Sequence, residues 1–235
     1  MRRNGESIMA RRKNYKRRRI ILSNTFHLIR ENGMDNVSFQ MIAEKSGISK
    51  SLLQSYYPHK AKLTDDVVRN ILNTLDEQVR KSNHAKEGNI CARTKAFIYT
   101  IAMLGIYDKG LKRIISEVFS SNETLDNWSQ MLNSWVKDNQ IFDEDAFDLN
   151  EVEYGIAFVV TGVGRLYHDS KRFSLSAEQL ADYATSSLMY SFLHCTPEQV
   201  NHALEAGHEI IKSTDIEAIH HAIDTMFDEE KEIVC

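Results

Sequence analysis

The residues best suited to chemistry lie between Ser38 and Lys60, where the chain reads SFQMIAEKSGISKSLLQSYYPHK. The pattern predicts two short helices joined by a sharp turn. Ser38 can cap the first helix and Ser49 the second, and Gly47 can take the positive φ that a tight corner needs. Pro58 disfavours helical geometry in the residue before it, so the second helix should end there. This is the arrangement of a DNA-reading helix-turn-helix, whose second helix must enter a major groove about 12 Å wide.

The second helix carries side chains that can read bases. Gln54 suits adenine, Lys50 suits guanine, and Leu52 can meet a thymine methyl group. Tyr57 and Lys60 follow at the start of the next helix, where we expect them to grip the DNA backbone and set register. The alternative is a plain helical corner with a solvated polar face. The predicted DNA-binding residues are Ser38, Gln40, Ser49, Lys50, Ser51, Leu52, Gln54, Ser55, Tyr56, Tyr57 and Lys60.

The run from Arg18 to Leu63 resembles the DNA-binding domain of the TetR family of bacterial transcriptional regulators. The residues that carry the resemblance are Ile21, Leu22, Leu28, Ile29, Gly33, Ser38, Ile42, Ala43, Gly47, Ile48, Ser49, Lys50, Leu53, Tyr56, Tyr57 and Lys60. It implies an N-terminal three-helix DNA-binding domain, joined by a long linker helix to a larger helical domain that binds ligand and dimerises. Several residues depart from the family pattern, namely Asn24, Thr25, Leu52, Gln54 and Ser55. The resemblance therefore implies no particular operator sequence.

Composition favours the same fold class. The chain has 235 residues and only two prolines, and no alternating apolar runs, which indicates an all-α protein. Residues 1–62 hold 14 Lys/Arg and 4 Asp/Glu, a net of +10, so the overall charge of −4 leaves −14 for residues 63–235. A basic end on an acidic body suits a protein that presents one face to phosphates. A solvated basic tail on an ordinary acidic domain has the same composition.

The basic N-terminus allows two interpretations. Residues 1–14 are charged and poor in apolar side chains, so we expect a disordered tail there. The stretch Arg11 to Arg19 has seven basic residues among nine. It could lie in the minor groove next to the reading helix, or it could add only salt-dependent affinity that is blind to sequence.

The predicted domains follow from where the helical patterns break. A DNA-binding domain with its linker helix occupies 15–80, with the reading unit at 38–57. A loop is expected over Lys81 to Asn89, and a helical effector-binding and dimerisation domain over 85–235. Two amphipathic patterns near the end, about 200–211 and 216–227, exceed the number of helices usual in the family.

An effector pocket is predicted from an aromatic stripe in a helix over about 123–139. The stripe could wall a pocket with side chains from a helix over about 91–107. An aromatic and methionine stripe at helical spacing is also typical of plain core. The candidate effector-binding residues are Phe97, Met103, Tyr107, Trp128, Met131 and Trp135.

Dimerisation is predicted through the eighth and ninth helices, about 150–168 and 176–194. Val152, Ile156 and Val159 begin an apolar stripe there, and Gly155 and Gly162 lie beside it. Small residues let helices approach closely, so this pair could form a four-helix bundle with the same pair of a second copy. Burial within one subunit is the alternative.

Other kinds of site are not predicted. Cys91, Cys195 and Cys235 lack metal-ligand spacing, which favours a reduced cytoplasmic location, and we find neither a signal peptide nor a membrane span. Glu217 and His221 are i, i+4 neighbours, a spacing shared by metal sites and ordinary surface pairs. We predict no metal, no cofactor and no catalytic constellation.

These patterns predict a cytoplasmic homodimeric repressor that binds double-stranded DNA and responds to a small-molecule effector. One alternative is an activator or adaptor that acts through a protein partner by its C-terminal helices. The other is a helical enzyme with a DNA-binding appendage, which the absence of an acid-base or metal arrangement disfavours.

Overall fold

A computed structural model of the chain describes residues 3–81, 90–119 and 122–228, excluding the side chains of residues 3–13, 122–124 and 170–171. The described residues contain helices and turns and no strands, which confirms the all-α prediction. The helices are α1 (Arg3–Asn32), α2 (Phe39–Lys45), α3 (Lys50–Tyr56), α4 (Lys60–Lys81), α5 (Ile90–Tyr107), α6 (Lys109–Val118), α7 (Asn122–Asp138), α8 (Leu149–His168), α9 (Ser170–Phe173), α10 (Ala177–Ser191), α11 (Pro197–Lys212) and α12 (Ile216–Asp224). The loop predicted over Lys81 to Asn89 falls largely outside the described residues, and Cys235 falls wholly outside them.

The chain divides into two compact units, and the division differs from the predicted domains. The first unit contains the residues up to Leu72 together with those from His221 onward, and the second contains Asn73–His220. The chain therefore returns to its N-terminal unit at its end, whereas the sequence predicted that all residues after 85 would form the second domain.

The first unit has a core shared by α1 to α4. Fully buried side chains include Phe26 from α1, Ile42 from α2, Leu53 from α3 and Leu63 from α4. Within α3 the only buried residue is Leu53, so its burial fixes which face of α3 remains outside.

Local sequence sets both corners of this unit, as predicted. Gly33 ends α1 with φ of 90°, and Gly47 turns the chain between α2 and α3 with φ of 65°. The Ser38 hydroxyl accepts from Met41 N at 3.2 Å, and the Ser49 hydroxyl accepts from Leu52 N at 3.2 Å. Both serines therefore satisfy backbone donors that the first turn of a helix leaves unpaired.

The first helix is longer than predicted. It begins at Arg3, although the sequence predicted a disordered tail over residues 1–14. The segment is poor in apolar residues but also lacks proline, and its arginine, lysine, methionine and glutamate residues are good helix formers. Extending an existing helix needs no new nucleus and adds one hydrogen bond per residue fixed.

The end of the chain packs onto α1 within the first unit. Phe227 is buried, with its ring 6.1 Å from that of Phe26. Asp224 forms an ion pair with Arg30, whose guanidinium also lies over the Phe26 ring. Periodicity predicts that residues such as Phe227 are buried, but it does not indicate which partner buries them, so the domain assignment of this segment was missed.

The second unit is built around α5, which packs against α10 and α11. Ala92 and Ala96 of α5 meet Ile210 and Ile211 of α11 in one apolar cluster. Among the described residues α5 is long and apolar enough, by length and composition alone, to cross a membrane. Its small buried residues instead pack against neighbouring helices, as expected of a core helix.

Candidate nucleic-acid interface

Helix α3 presents a polar face to solvent. Lys50, Ser51, Gln54 and Ser55 are exposed, while Leu53 is fully buried. Leu52 and Tyr56 are half-buried. The helix therefore offers a cation, an amide and hydroxyl groups on one side, the groups that bind base edges and phosphates.

The serines of α3 already have local partners. Ser49 and Ser51 share a hydrogen bond between their hydroxyl oxygens at 3.0 Å. Ser55 donates to Leu52 O at 2.7 Å. These contacts hold the hydroxyl groups in defined orientations, and each oxygen keeps further capacity to accept a hydrogen bond.

At the start of α2, two of the predicted DNA-binding residues already have partners within the helix. Ser38 serves as the cap, and Gln40 donates to the Glu44 carboxylate at 2.7 Å. Gln40 keeps a second N–H group for a contact with DNA, but the nearby negative charge of Glu44 disfavours a phosphate.

The structure contradicts the role predicted for the Tyr57 side chain. Its exposed fraction is 0%, and its hydroxyl accepts from Arg18 Nε at 2.8 Å. Tyr57 is the C-cap of α3 with extended backbone, which turns the ring into the core and away from any phosphate outside.

Lys60 also differs from the prediction. Its Nζ donates to Met34 O at 2.6 Å, in the segment that follows α1, and the residue is half-buried. Lys60 therefore ties α4 to that segment, and any contact with DNA would involve only its remaining N–H groups.

A polar cluster beneath α3 was not predicted as a unit. Arg18 Nη2 donates to Asp66 Oδ2 at 2.7 Å, and its guanidinium lies 5.2 Å from the centre of the Tyr57 ring. Burial raises the pKa of Tyr57 to about 12 despite the neighbouring guanidinium. Burial alone would raise the pKa of Asp66, but hydrogen bonds from Lys62 and Arg18 lower it. No local pattern predicts this Arg18 cluster, formed by Arg18, Tyr57 and Asp66, because Tyr57 and Asp66 lie 39 and 48 residues after Arg18 in the chain.

The predicted effector residues are only partly brought together. Phe97 and Trp135 stack with ring centres 5.6 Å apart and planes inclined by 19°. Trp135 Nε1 donates to Asn73 Oδ1 at 2.6 Å, and Met131 is buried on the same helix. Trp128 and Met103 are half-buried.

Tyr107 does not join that stacked pair. It is 52% exposed, and its ring lies 5.0 Å from that of His220. His220 in turn lies 3.3 Å from Asp108 through Nε2. The aromatic pair of α5 and α7 is therefore the part of the predicted pocket that the structure assembles.

A cleft of about 620 Å³ in the second unit is lined by other residues, including Lys95, Glu178, Asp182 and His208. Lys95 Nζ is surrounded by Glu178 at 3.1 Å, Asp182 at 2.7 Å and Leu204 O at 2.9 Å. Its side chain is only 3% exposed. This Lys95 cluster is an internal ion cluster in which the ammonium group donates hydrogen bonds to Glu178 and Leu204 O and forms an ion pair with Asp182.

The faces predicted for dimerisation are largely used inside the subunit. Val152 and Ile156 of α8 and Leu188 of α10 are buried, and α8 packs against α10. A Cβ added to Gly155 would lie 2.4 Å from Leu188, whereas one added to Gly162 would meet nothing within 4 Å. The exposed large hydrophobic side chains of the two helices are Tyr154, Phe158, Tyr183 and Tyr190.

The histidine and carboxylate pattern near the C-terminus does not form a common site. His220 is near Asp108, while Asp224 pairs with Arg30. Across the described ranges no group of three or more His, Cys, Asp or Glu residues is arranged to hold a metal ion.

Residues 21–67 match the family profile "Bacterial regulatory proteins, tetR family". The chain is 29% identical over 86 residues to the nucleoid occlusion factor SlmA of Haemophilus ducreyi, and equally to that of Actinobacillus pleuropneumoniae serotype 5b. Each match covers 37% of this chain and 42% of the relative, so the chain spans less than half the length of these curated relatives.

Two solved structures share the fold over most of the chain. RolR in complex with resorcinol aligns with a TM-score of 0.50 at 16% identity, covering 83% of this chain and 95% of that one. RolR without ligand aligns with a TM-score of 0.52 at 13% identity, covering 80% and 95%. At this identity the likeness concerns the fold alone.

Proposed function

We propose that this chain, which belongs to the tetR family of bacterial regulatory proteins, is a cytoplasmic homodimeric repressor that binds an operator and is released by a small-molecule effector. The observation that carries the proposal is α3, a short capped helix that exposes Lys50, Ser51 and Gln54 while its single core residue, Leu53, anchors it. Such a helix can enter a major groove without rearrangement of the unit that holds it.

Each reading helix contacts only a few base pairs, so specific binding needs a second copy. Two copies related by a two-fold axis would read half-sites about 34 Å apart on a palindromic operator. For this contact we favour the exposed aromatic face of α8 and α10. Phe158 of α8 lies 5.5 Å from Phe192, just beyond α10, so the aromatic surface continues from one helix to the other.

A substitution on this face tests the dimer. Tyr154→Glu places a charge on the exposed face of α8, and we expect a monomer in analytical ultracentrifugation and a loss of operator affinity of at least about 30-fold, since central aromatic contacts carry 2 kcal/mol or more. Phe173→Glu is the matched control, because Phe173 is also an exposed aromatic but lies on α9. A Tyr154→Glu variant that remains dimeric would exclude this interface.

The effector is proposed to bind in the second unit, beside the stacked pair Phe97 and Trp135. An effector releases DNA only if it binds the DNA-incompetent conformation more tightly. A coupling of about 1.4–2.8 kcal/mol would give ten- to hundredfold induction. Quenching of Trp135 fluorescence by added small aromatic compounds, compared between the wild type and Phe97→Ala, tests this location.

The DNA-reading role is tested by selecting duplexes from a random pool with the full-length protein. A palindromic consensus is expected, and DNase protection of the selected sequence should extend over two adjacent major grooves. If the protein binds duplex DNA but the selection yields no consensus, then its binding does not depend on sequence and the operator proposal is overturned.

A second candidate is a DNA-bound factor that acts through a protein partner. It is favoured by the similarity of the N-terminal region to proteins named nucleoid occlusion factors, and by α11 and α12, which extend the chain beyond the predicted dimer helices. Reconstituted transcription separates the two. A repressor lowers synthesis from its operator-bearing promoter with polymerase alone, and an adaptor needs the added partner.

A further inference from the structure

A cleft in the first unit lies beside the reading helix. It has a volume of about 480 Å³ and is lined from α1 by Asn14, Tyr15 and Arg18, and from α3 and its end by Leu52, Ser55 and Tyr56. One wall is therefore the helix that we propose reads DNA. The lining side chains offer amide, hydroxyl and guanidinium donors, the groups that bind backbone phosphates.

Arg18 is held in place within this cleft. Its Nε donates to the Tyr57 hydroxyl at 2.8 Å and its Nη2 to Asp66 at 2.7 Å, and its guanidinium carbon lies 5.2 Å from the centre of the Tyr57 ring. Nη1 takes part in neither bond, and the side chain is 48% exposed. One edge of a fixed guanidinium thus remains available.

The Arg18 cluster keeps a positive charge. Asp66 also pairs with Lys62 at 2.9 Å, so two cations share one carboxylate and the set carries a net charge of about +1. A single Arg–Asp pair would be neutral and would attract a phosphate weakly.

From these contacts we propose that Arg18 binds a DNA backbone phosphate in this cleft, and that Tyr57 and Asp66 are the residues that position it. The inference rests on the DNA-binding role proposed above and adds a specific anchor to it. A guanidinium already fixed by its neighbours loses little rotamer freedom on binding, and its planar fork matches phosphate oxygens. The phosphate would hold α1 and α3 together against one strand and so set the register of the reading helix.

This role differs from that of a basic tail. Arg18 lies within a continuous helix, and its position depends on a buried hydroxyl group 39 residues later. Removing that hydroxyl should weaken DNA binding although Tyr57 itself is buried. A tail that contributes only diffuse charge would not respond to such a change.

The test measures affinity for one random-sequence duplex over a series of salt concentrations, by fluorescence anisotropy with the full chain. For Arg18→Met we expect the slope of log K against log salt to fall by about 0.9, with an affinity loss of about threefold or more, because one phosphate contact is removed. Arg18→Lys should keep the slope and lose part of the affinity, since lysine is a point charge without the fork.

The positioning role is tested by combining substitutions. Tyr57→Phe should weaken binding about two- to tenfold in the wild type and cause no further loss in an Arg18→Met background. Tyr167→Phe, which changes a half-buried tyrosine of the second unit, is the matched control and should have no effect. Thermal unfolding measures any loss of structure separately. If Arg18→Met does not fold, Arg18→Lys replaces it as the background in which Tyr57→Phe is measured.

Three results discriminate the outcomes. Unchanged affinity and salt slope in Arg18→Met, with a wild type that binds duplex DNA, overturn the phosphate anchor alone. An equal loss from Tyr57→Phe in both backgrounds overturns the positioning role, since a merely structural effect would not depend on Arg18. A wild type that ignores duplex DNA at low salt overturns the proposed function itself.

Discussion

The two units each contain a cation held by acidic neighbours, and the two clusters differ in what they leave available. In the first unit Arg18 is bonded to Tyr57 and Asp66 yet remains 48% exposed. In the second unit Lys95 is 3% exposed, donates hydrogen bonds to Glu178 and Leu204 O, and forms an ion pair with the Asp182 carboxylate. A cation paired with acidic neighbours can therefore bind a further anion in the first unit, whereas in the second unit it links helices within the core.

The surroundings of each cation explain the difference. Lys95 lies against α11 at Gly207, where an added Cβ would be 2.7 Å from its side chain, so the stem is enclosed. Glu178 and Asp182, on α10, are about one-third exposed and cover the ammonium group. A cation enclosed in this way contributes to stability through its partners, whereas a half-exposed one contributes little to stability and can act in binding.

The largest effect is expected from Lys95→Met, which keeps the apolar stem and removes the charge. Glu178 and Asp182 would lose their shared partner, and we expect the free energy of unfolding to fall by about 2–3 kcal/mol, below the range for fully buried pairs because both carboxylates reach water. Urea unfolding at neutral pH measures it. Lys212→Met, which removes an exposed pair with Glu209, is the control and should cost less than about 0.5 kcal/mol. Equal losses of unfolding free energy in the two variants would show that Lys95 stabilises the fold no more than an exposed ion pair does.

Gly207→Ala tests the enclosure of the lysine stem. The new Cβ would also lie 3.1 Å from Ala92 O, so backbone as well as side chain must move, and we expect a loss of about 1–2 kcal/mol in thermal unfolding. Gly162→Ala adds a Cβ in open space and should gain up to about 1 kcal/mol. The pair is best compared in the Tyr154→Glu background, so that association through α8 does not contribute. A stabilising Gly207→Ala would mean that α5 and α11 are less tightly packed than described.

Acid should weaken the Lys95 cluster. Burial alone would raise the pKa of Glu178, but hydrogen bonds from His208 and Lys95 lower it below its ordinary value of 4.5. A carboxyl group whose pKa is lowered by folding stabilises the protein above its ordinary pKa, and this contribution is lost as pH falls through the folded-state pKa. Glu178→Gln should therefore flatten the fall in stability below pH 4.5. A variant that loses stability with acid as steeply as the wild type would contradict this assignment.

The smallest effect on stability is expected from Arg18→Met. The side chain is half-exposed, so its ion pair contributes little, and the main cost is the Tyr57 hydroxyl left without its donor, about 1 kcal/mol. The contrast with Lys95→Met is in DNA binding, where Arg18→Met changes the salt slope and Lys95→Met leaves it unchanged. Calorimetry measures the stability of the Arg18→Met and Lys95→Met variants, and fluorescence anisotropy measures the salt dependence of their DNA binding.

The sequence predicts local features much better than contacts between distant residues, for a physical reason. Caps and turns such as Ser38, Gly47 and Ser49 act within three or four residues, so their spacing alone specifies the corner and the exposed face of α3. Arg18 with Asp66, and Lys95 with Glu178, are contacts between residues 48 and 83 positions apart. Composition does not show which charges will meet, and for the same reason the burial of Tyr57 and the docking of Phe227 on α1 were missed.

The most direct test of the central claim, that α3 reads DNA, is the ratio of affinities for a selected operator and a scrambled duplex, measured for the wild type and Gln54→Ala. We expect a wild-type ratio of about 10³ or more. In Gln54→Ala the ratio should fall by about five- to hundredfold, with affinity for the scrambled duplex unchanged, because one base contact is lost. An unchanged ratio in Gln54→Ala, or an equal loss on both duplexes, would contradict the claim.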